Sequence, residues 1–295
     1  MVLKSVFELG FSDQIVFKGG TSLSKGWNLI QRFSEDIDVA INMTYLGYKG
    51  DPTLKKITKL RKASFAFTRD TLSELLDAKL IDVGFKEYEL KANDEPNTST
   101  DPHSLNLNYH SLTQKSDYIT PAVKLEVSAR SLMEPTEERN IQSIVGSCFP
   151  ELSFSDSPVR INTVIPKKTF LEKAFLLHEE FQRNPDDVRS ERMSRHLYDL
   201  EKMMDTEHGL EALKDKNLYN SIIQHRSTFT KLQEVDYTTH LPNRIDFVPP
   251  DSILKEYEKD YKRMQESMIY GDSLPFKDLI IQITELRTRF RDVNF

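Results

Sequence analysis

The chain has a single cysteine, Cys148, which excludes an internal disulfide, and no cysteine–histidine cluster has zinc-site spacing. No apolar run approaches the roughly 18 residues of a membrane span. The opening stretch, MVLKSVFELGF, lacks a small-residue cleavage site and is not read as a signal peptide. Internal repeats and low-complexity tracts are missing as well. Nor is there an excess of positive charge: the formal net charge is −6, and the parts on either side of Pro166 are both acidic. Neither part reads as a basic nucleic-acid domain. These absences leave a soluble protein, expected in the cytoplasm and away from membranes.

Its 295 residues, 38% hydrophobic and 29% charged, suffice for one large or two modest domains. The first part mixes periods. Short β-branched or alternating runs predict strands over Ile15–Lys18, Asp36–Asn42, Val83–Leu90, Ser104–Tyr109, Ala122–Ala129 and Val159–Ile165. Helical spacing covers Thr21–Arg32, where Leu23, Trp27 and Ile30 share a face, and Pro52–Lys79. Trp27 is expected in the core. After Pro166 the pattern is helical over Thr169–Gln182, Glu191–Asp205, His208–Gln224, Ser252–Met268 and Phe276–Arg291, with Ser190 expected as an N-cap. The expected organisation is an α/β domain over residues 1–165 and a helical domain over 166–295.

The segment VFKGGTSLSKGWNLIQRFSEDIDVAI, Val16–Ile41, concentrates the chemistry. Strand, Gly19-Gly20, hydroxyls and helix make a phosphate-cradle arrangement. Glycine lets backbone approach an anion, a helix start offers unpaired N–H groups, and Thr21 and Ser22 add donors. The same glycines also serve any tight turn, and no Walker motif is present. Asp36 and Asp38, two apart on one strand, project from the same face, where a cation relieves their repulsion. Hard carboxylate oxygens beside a phosphate cradle suit Mg²⁺ or Mn²⁺ and nucleotidyl or phosphoryl transfer. Two-metal chemistry calls for a further carboxylate from a neighbouring strand, and Glu126 in VKLEVSAR fits, pointing opposite to its apolar neighbours. On spacing alone it reads equally as a solvent-facing residue. Lys25, one turn after Ser22, is within reach of a phosphate or simply solvated.

These residues resemble the first motif of the AbiEii/AbiGii-type toxins, a branch of the polymerase β-like nucleotidyltransferases. Gly19, Gly20, Asp36 and Asp38 match the superfamily pattern, and Ser34-Glu35 match the family's SEDID form. The resemblance implies an α+β fold, a mixed sheet with helices followed by a helical C-terminal domain. AVKLEVSAR resembles the family's acidic central strand, placing Glu126 as the third metal carboxylate. TFLEKAFLLHEEF and SRHLYDLEKM resemble a later pair of helices. By that likeness Lys173 would contact the triphosphate and Asp199 would orient it or support catalysis; read alone, Lys173 is a helix lysine. His196 stands where the family often has aspartate.

The implied function is Mg²⁺-dependent transfer of NMP from an NTP to an acceptor hydroxyl, on RNA such as a tRNA 3′ end, by a toxin with a cognate antitoxin. A stripe of Lys55, Lys59, Lys62 and Arg69 at helical spacing is a candidate polyanion grip or a solvated helix face. Two alternatives stay open: an antibiotic-type small-molecule nucleotidyltransferase, and a non-catalytic nucleotide-binding protein.

Overall fold

The computed structural model describes residues 1–34, 36–93, 101–111 and 120–294. Glu35 and residues 94–100, part of the polar loop expected after the third strand, lie outside that set. The chain divides into two units: Met1–Asn28 with Ser34–Ile165, and Leu29–Phe33 with Pro166–Phe295.

In chain order the first unit comprises α1 (Val2–Phe7), β1 (Ile15–Lys18), α2 (Gly19–Lys25), β2 (Asp36–Ile41), α3 (Leu54–Ala66), α4 (Ser73–Asp82), β3 (Tyr88–Ala92), β4 (His103–Tyr109), β5 (Ala122–Ser128), β6 (Thr136–Ile141), α5 (Ile144–Cys148) and β7 (Val159–Val164). A π-helical turn, Phe67–Leu72, joins α3 to α4. Among the described residues the seven strands form one sheet, ordered β3-β4-β5-β2-β1-β7-β6. The β2–β5 and β1–β7 pairings are parallel and the others antiparallel.

Alternation along the strands splits this sheet into two unlike faces. On one, Phe17, Ile37, Val39, Leu125, Val127, Leu105 and Leu107 pack with Val2 and Val6 of α1, Leu60 of α3, and Leu76 and Leu80 of α4. This is the hydrophobic core, and burying such side chains stabilises by about 1.5–3 kcal/mol each. The other face carries Asp36, Asp38, Lys124 and Glu126, with a small apolar cluster of Val16, Ala40 and Val164 further along.

Several sequence expectations shift. The helix after the glycines stops at Lys25, because Leu29–Phe33 joins the second unit. Trp27 is half-buried rather than core: its Nε1 donates to the Val164 carbonyl at 3.1 Å, and the Arg139 guanidinium lies 4.3 Å over its ring. The third strand begins at Tyr88, five residues later than expected, after a turn.

The second unit contains α6 (Pro166–Glu180), α7 (Ser194–Met203), α8 (Glu207–Ala212), α9 (Lys216–His225), α10 (Leu254–Ser267) and α11 (Phe276–Arg291). The helix expected over His208–Gln224 breaks in two where the Asp215 side chain caps α9 through the Leu218 N–H at 3.0 Å. Ser190 is not the cap of α7. Asp260 of α10 takes that role, accepting from the N–H of Ser194 at 3.0 Å and of Arg192 at 2.7 Å, where Arg192 has φ +59°.

A buried charge cluster sits within this unit. Arg32 grips both oxygens of Asp199, Nε at 2.7 Å and Nη2 at 2.8 Å, and Lys173 Nζ reaches the same carboxylate at 2.8 Å. His196 Nδ1 lies 3.4 Å from Lys173 Nζ. Burial opposes the Asp199 charge, but Arg32 and Lys173 more than offset it and hold the carboxyl far below its ordinary value. Burial also lowers Lys173 and keeps His196 neutral.

Asp199→Asn leaves two buried cations without their counter-charge and is expected to cost about 3–5 kcal/mol, read by denaturant unfolding at neutral pH. Because the folded-state pKa is depressed, this stabilisation is present above the unfolded carboxylate value near 4 and is lost as pH falls toward the folded value. Acidification should therefore destabilise wild type more steeply than the variant.

Candidate active site

The strand pairing places the expected carboxylates together. β2 runs parallel to β5 with Asp36 opposite Lys124 and Asp38 opposite Glu126, so all four side chains rise from one face. On the other side of β2, Asp38 pairs with Lys18, the last residue of β1. The chain then turns at Gly19, with φ +77°, directly into α2.

Gly19 is where the turn meets the acids. A Cβ on this residue would lie 2.7 Å from Asp38 Cγ and overlap its carboxylate. The left-handed φ and this close approach together restrict the position to glycine. Thr21 Oγ1 donates to the Asp36 carbonyl, tying α2 to β2. Ser22 is buried, and its hydroxyl donates to the Gly19 carbonyl at 2.9 Å. Both hydroxyls thus fasten the turn. What the turn presents is the uncapped start of α2, since no side chain caps it. Gly20 lies within its first turn. Lys25 ends the same helix, about 9 Å along it, half-buried, with burial lowering its pKa.

Lys124 changes the electrostatics. Its ammonium donates to Glu126, with a side chain 38% exposed against 22% for the carboxylate. Burial works against the Lys124 charge, but Glu126, with Asp36 and Asp38 behind it, outweighs burial and raises its pKa. Glu126 is thus held by a lysine rather than converged with the aspartates. Among the described residues no group of three or more His, Cys, Asp or Glu side chains is arranged to hold a metal ion. The donors still fit a hard divalent cation: two carboxylates share a face, with a third in register beside them. Release of Glu126 from Lys124 would complete the set.

Lys173 and Asp199, to which the motif gave triphosphate contact and orientation, lie together with Arg32 in the second unit. In this structure Asp199 has no exposed side-chain surface, and its oxygens are occupied by Arg32 and Lys173. They form a buried ion cluster of the second unit. The sequence missed Arg32, which ends the helical spacing expected over Thr21–Arg32 but lies in the Leu29–Phe33 segment that joins the second unit. The basic stripe also differs in placement: Lys55, Lys59 and Lys62 are exposed on α3, which packs against the sheet face opposite the carboxylates. Arg69 is drawn to Asp70 at 2.6 Å.

Gly19→Ala should destabilise the protein by more than about 1 kcal/mol, because alanine strains at this φ and displaces Asp38. Gly10→Ala, with open space around it, is the matched control and should stay within about 0.5 kcal/mol of wild type in thermal melting.

The family described as nucleotidyl transferase AbiEii toxin, type IV toxin–antitoxin system, matches residues 2–288. Among solved structures, the nucleotidyltransferase toxin MenT4 (Rv2826c) of Mycobacterium tuberculosis H37Rv is 16% identical, with a TM-score of 0.53 over 99% of this chain and 83% of that one. JHP933 of Helicobacter pylori is 15% identical, with a TM-score of 0.44 over 98% of this chain and 89% of its own. No curated protein matches the sequence. No helix is long and apolar enough to cross a membrane among the described residues. Asp36 and Asp38 share one sheet face beside the Gly19 turn, in a chain matched over nearly its whole length, and the protein belongs to the AbiEii nucleotidyltransferase toxin family of type IV toxin–antitoxin systems.

Proposed function

We propose that the protein transfers NMP from an NTP to a terminal hydroxyl of RNA, with Mg²⁺ or Mn²⁺ held by Asp36 and Asp38. The close approach of Gly19 to Asp38 carries this reading, because it sets a turn able to receive phosphates directly against the carboxylate pair. The backbone N–H groups at Gly20 and Thr21 would hold the phosphates, and Lys25 would neutralise charge from the far end of α2. The cation, held by Asp36 and Asp38, would supply charge neutralisation.

Asp36 and Asp38 orient the triphosphate so that its α-phosphorus faces an entering hydroxyl. The hydroxyl oxygen would form the new P–O bond as the bond to pyrophosphate breaks, and its proton would pass to a carboxylate, a role we assign to Glu126. Lys124 keeps Glu126 neutralised until the site is loaded, then turns to the developing negative charge. Most of the rate would come from positioning and charge compensation, as in phosphoryl transfer generally.

A tRNA 3′ end, a cytoplasmic setting and a cognate antitoxin extend this proposal through the family. An antibiotic-type acceptor is the second reading, favoured by the acidic net charge of −6, which weakens non-specific RNA binding.

Purified protein incubated with labelled NTP should label total cellular RNA in preference to small alcohols. Asp36→Asn with Asp38→Asn should abolish labelling, and undiminished labelling by that variant would refute the assignment. Lys124→Met should tighten Mn²⁺ binding to the NTP-free protein by about tenfold, by removing a cation that competes for the same carboxylates. Titration followed by electron paramagnetic resonance measures this directly.

A further inference from the structure

We propose that the β3 edge of the sheet is a docking surface for a second copy of this chain, the two β3 strands pairing antiparallel about a two-fold axis at Leu90. Among the described residues β3 and β6 are the two ends of the strand order. β3 keeps unbroken register with β4 from Tyr88 to Ala92, without bulge or proline. Asn93 continues the ladder, its N–H donating to the Ser104 carbonyl at 3.0 Å. Hydrogen-bonded positions alternate along an antiparallel pair, so Glu89 and Lys91 turn their peptide groups toward β4. Tyr88, Leu90 and Ala92 therefore point theirs outward, a row of backbone donors and acceptors that no described strand covers.

The side chains select one register for a second copy. Outward positions must meet outward positions, so a symmetric pair that keeps most of the strand centres on Glu89, Leu90 or Lys91. Centring on Glu89 sets that carboxylate against its own copy, and centring on Lys91 opposes two ammonium groups. Centring on Leu90 sets Leu90 opposite Leu90, Tyr88 opposite Ala92, and Glu89 opposite Lys91 in both halves. These charge pairs fall at the non-hydrogen-bonded positions, where cross-strand side chains stand closest. Glu89 and Lys91 are 58% and 62% exposed and joined at 2.7 Å within one strand, so two copies assemble four charges of alternating sign. On the opposite face Tyr88 and Leu90 border an open cavity of about 650 Å³ with Phe85 and Ile81, the last 63% exposed. Tyr88 is fixed there, its hydroxyl donating to Asp77 Oδ1 at 2.7 Å and its ring stacked on Phe85. The two-fold sets the same apolar border of the second copy beside it.

β6, at the other end, lacks this match. The Ile165 N–H donates to the Pro135 carbonyl at 3.1 Å, which turns the peptide groups of Thr136, Glu138 and Asn140 outward. The middle register of β6 opposes Glu138 to Glu138. Its Arg139 guanidinium is already held by the Gly26 carbonyl at 2.9 Å and by the Trp27 ring. Because β3 meets itself, the contact closes at two copies.

Five paired residues and one apolar border make a small interface, of the transient, micromolar class. Sedimentation velocity of the full chain from about 1 to 500 µM should show monomer giving way to dimer, more weakly as salt increases. Lys91→Glu and Glu89→Lys each oppose like charges at both pairs and should raise the dissociation constant about tenfold or more. An equimolar mixture of the two variants again opposes unlike charges, two acids of one copy against two bases of the other. It should therefore recover a dimer at wild-type concentrations, and that recovery also shows that both variants fold. Wild type that stays monomeric over the whole range would overturn the proposal. So would a dimer indifferent to both single variants, or two variants with wild-type melting whose mixture stays monomeric. None of these outcomes bears on nucleotide transfer.

Discussion

Asp38 lies against the Cα of Gly19, and that contact sets the geometry of the candidate site. Only a residue without a side chain tolerates both the left-handed turn and the nearby carboxylate. The turn in turn fixes where α2 begins, and Thr21 binds α2 back to the Asp36 carbonyl. Strand alternation does the rest. It sends Ile37 and Val39 into the core while lifting Asp36 and Asp38 to the opposite face, so the burial that stabilises β2 also aims its carboxylates.

Two carboxylate groups in the molecule are handled in contrasting ways. Asp199 is buried, and the protein satisfies it permanently with Arg32 and Lys173, the fixed pairing that a buried charge demands. Glu126 is partly exposed and answered by one flexible lysine. The first arrangement is a structural tie whose removal costs stability. The second is exchangeable, because a half-exposed ammonium gives way readily to a divalent cation.

The parts of the fold that were legible in the sequence are those where burial imposes a period. β1, β2, β4 and β5 were readable because alternate positions face a core, and α11 because its apolar stripe is continuous. β6 was not: Thr136–Ile141 reads TEERNI, an exposed edge strand with charge where alternation would show apolar residues. Leu29–Phe33 continues the Leu23 spacing through Ile30, so periodicity extended α2 where the chain in fact leaves the first unit. The acids of the candidate site were visible because their spacing on a strand is itself geometric. Strand alternation puts Lys124 on the face of Glu126, but their ion pair depends on rotamers that spacing does not determine. The hydroxyls of Thr21 and Ser22 were likewise visible as residue types, but their partners, the Asp36 and Gly19 carbonyls, follow from the turn itself.

The central claim is that Asp36 and Asp38 jointly coordinate a divalent cation that also touches the triphosphate. Crystals grown with Mn²⁺ and a non-hydrolysable NTP, measured at the manganese absorption edge, test it most directly. The account predicts an anomalous peak about 2.1 Å from an oxygen of each aspartate and from a phosphate oxygen beside Gly19. Manganese bound elsewhere, or nucleotide bound with both aspartates turned away from the metal, would contradict it.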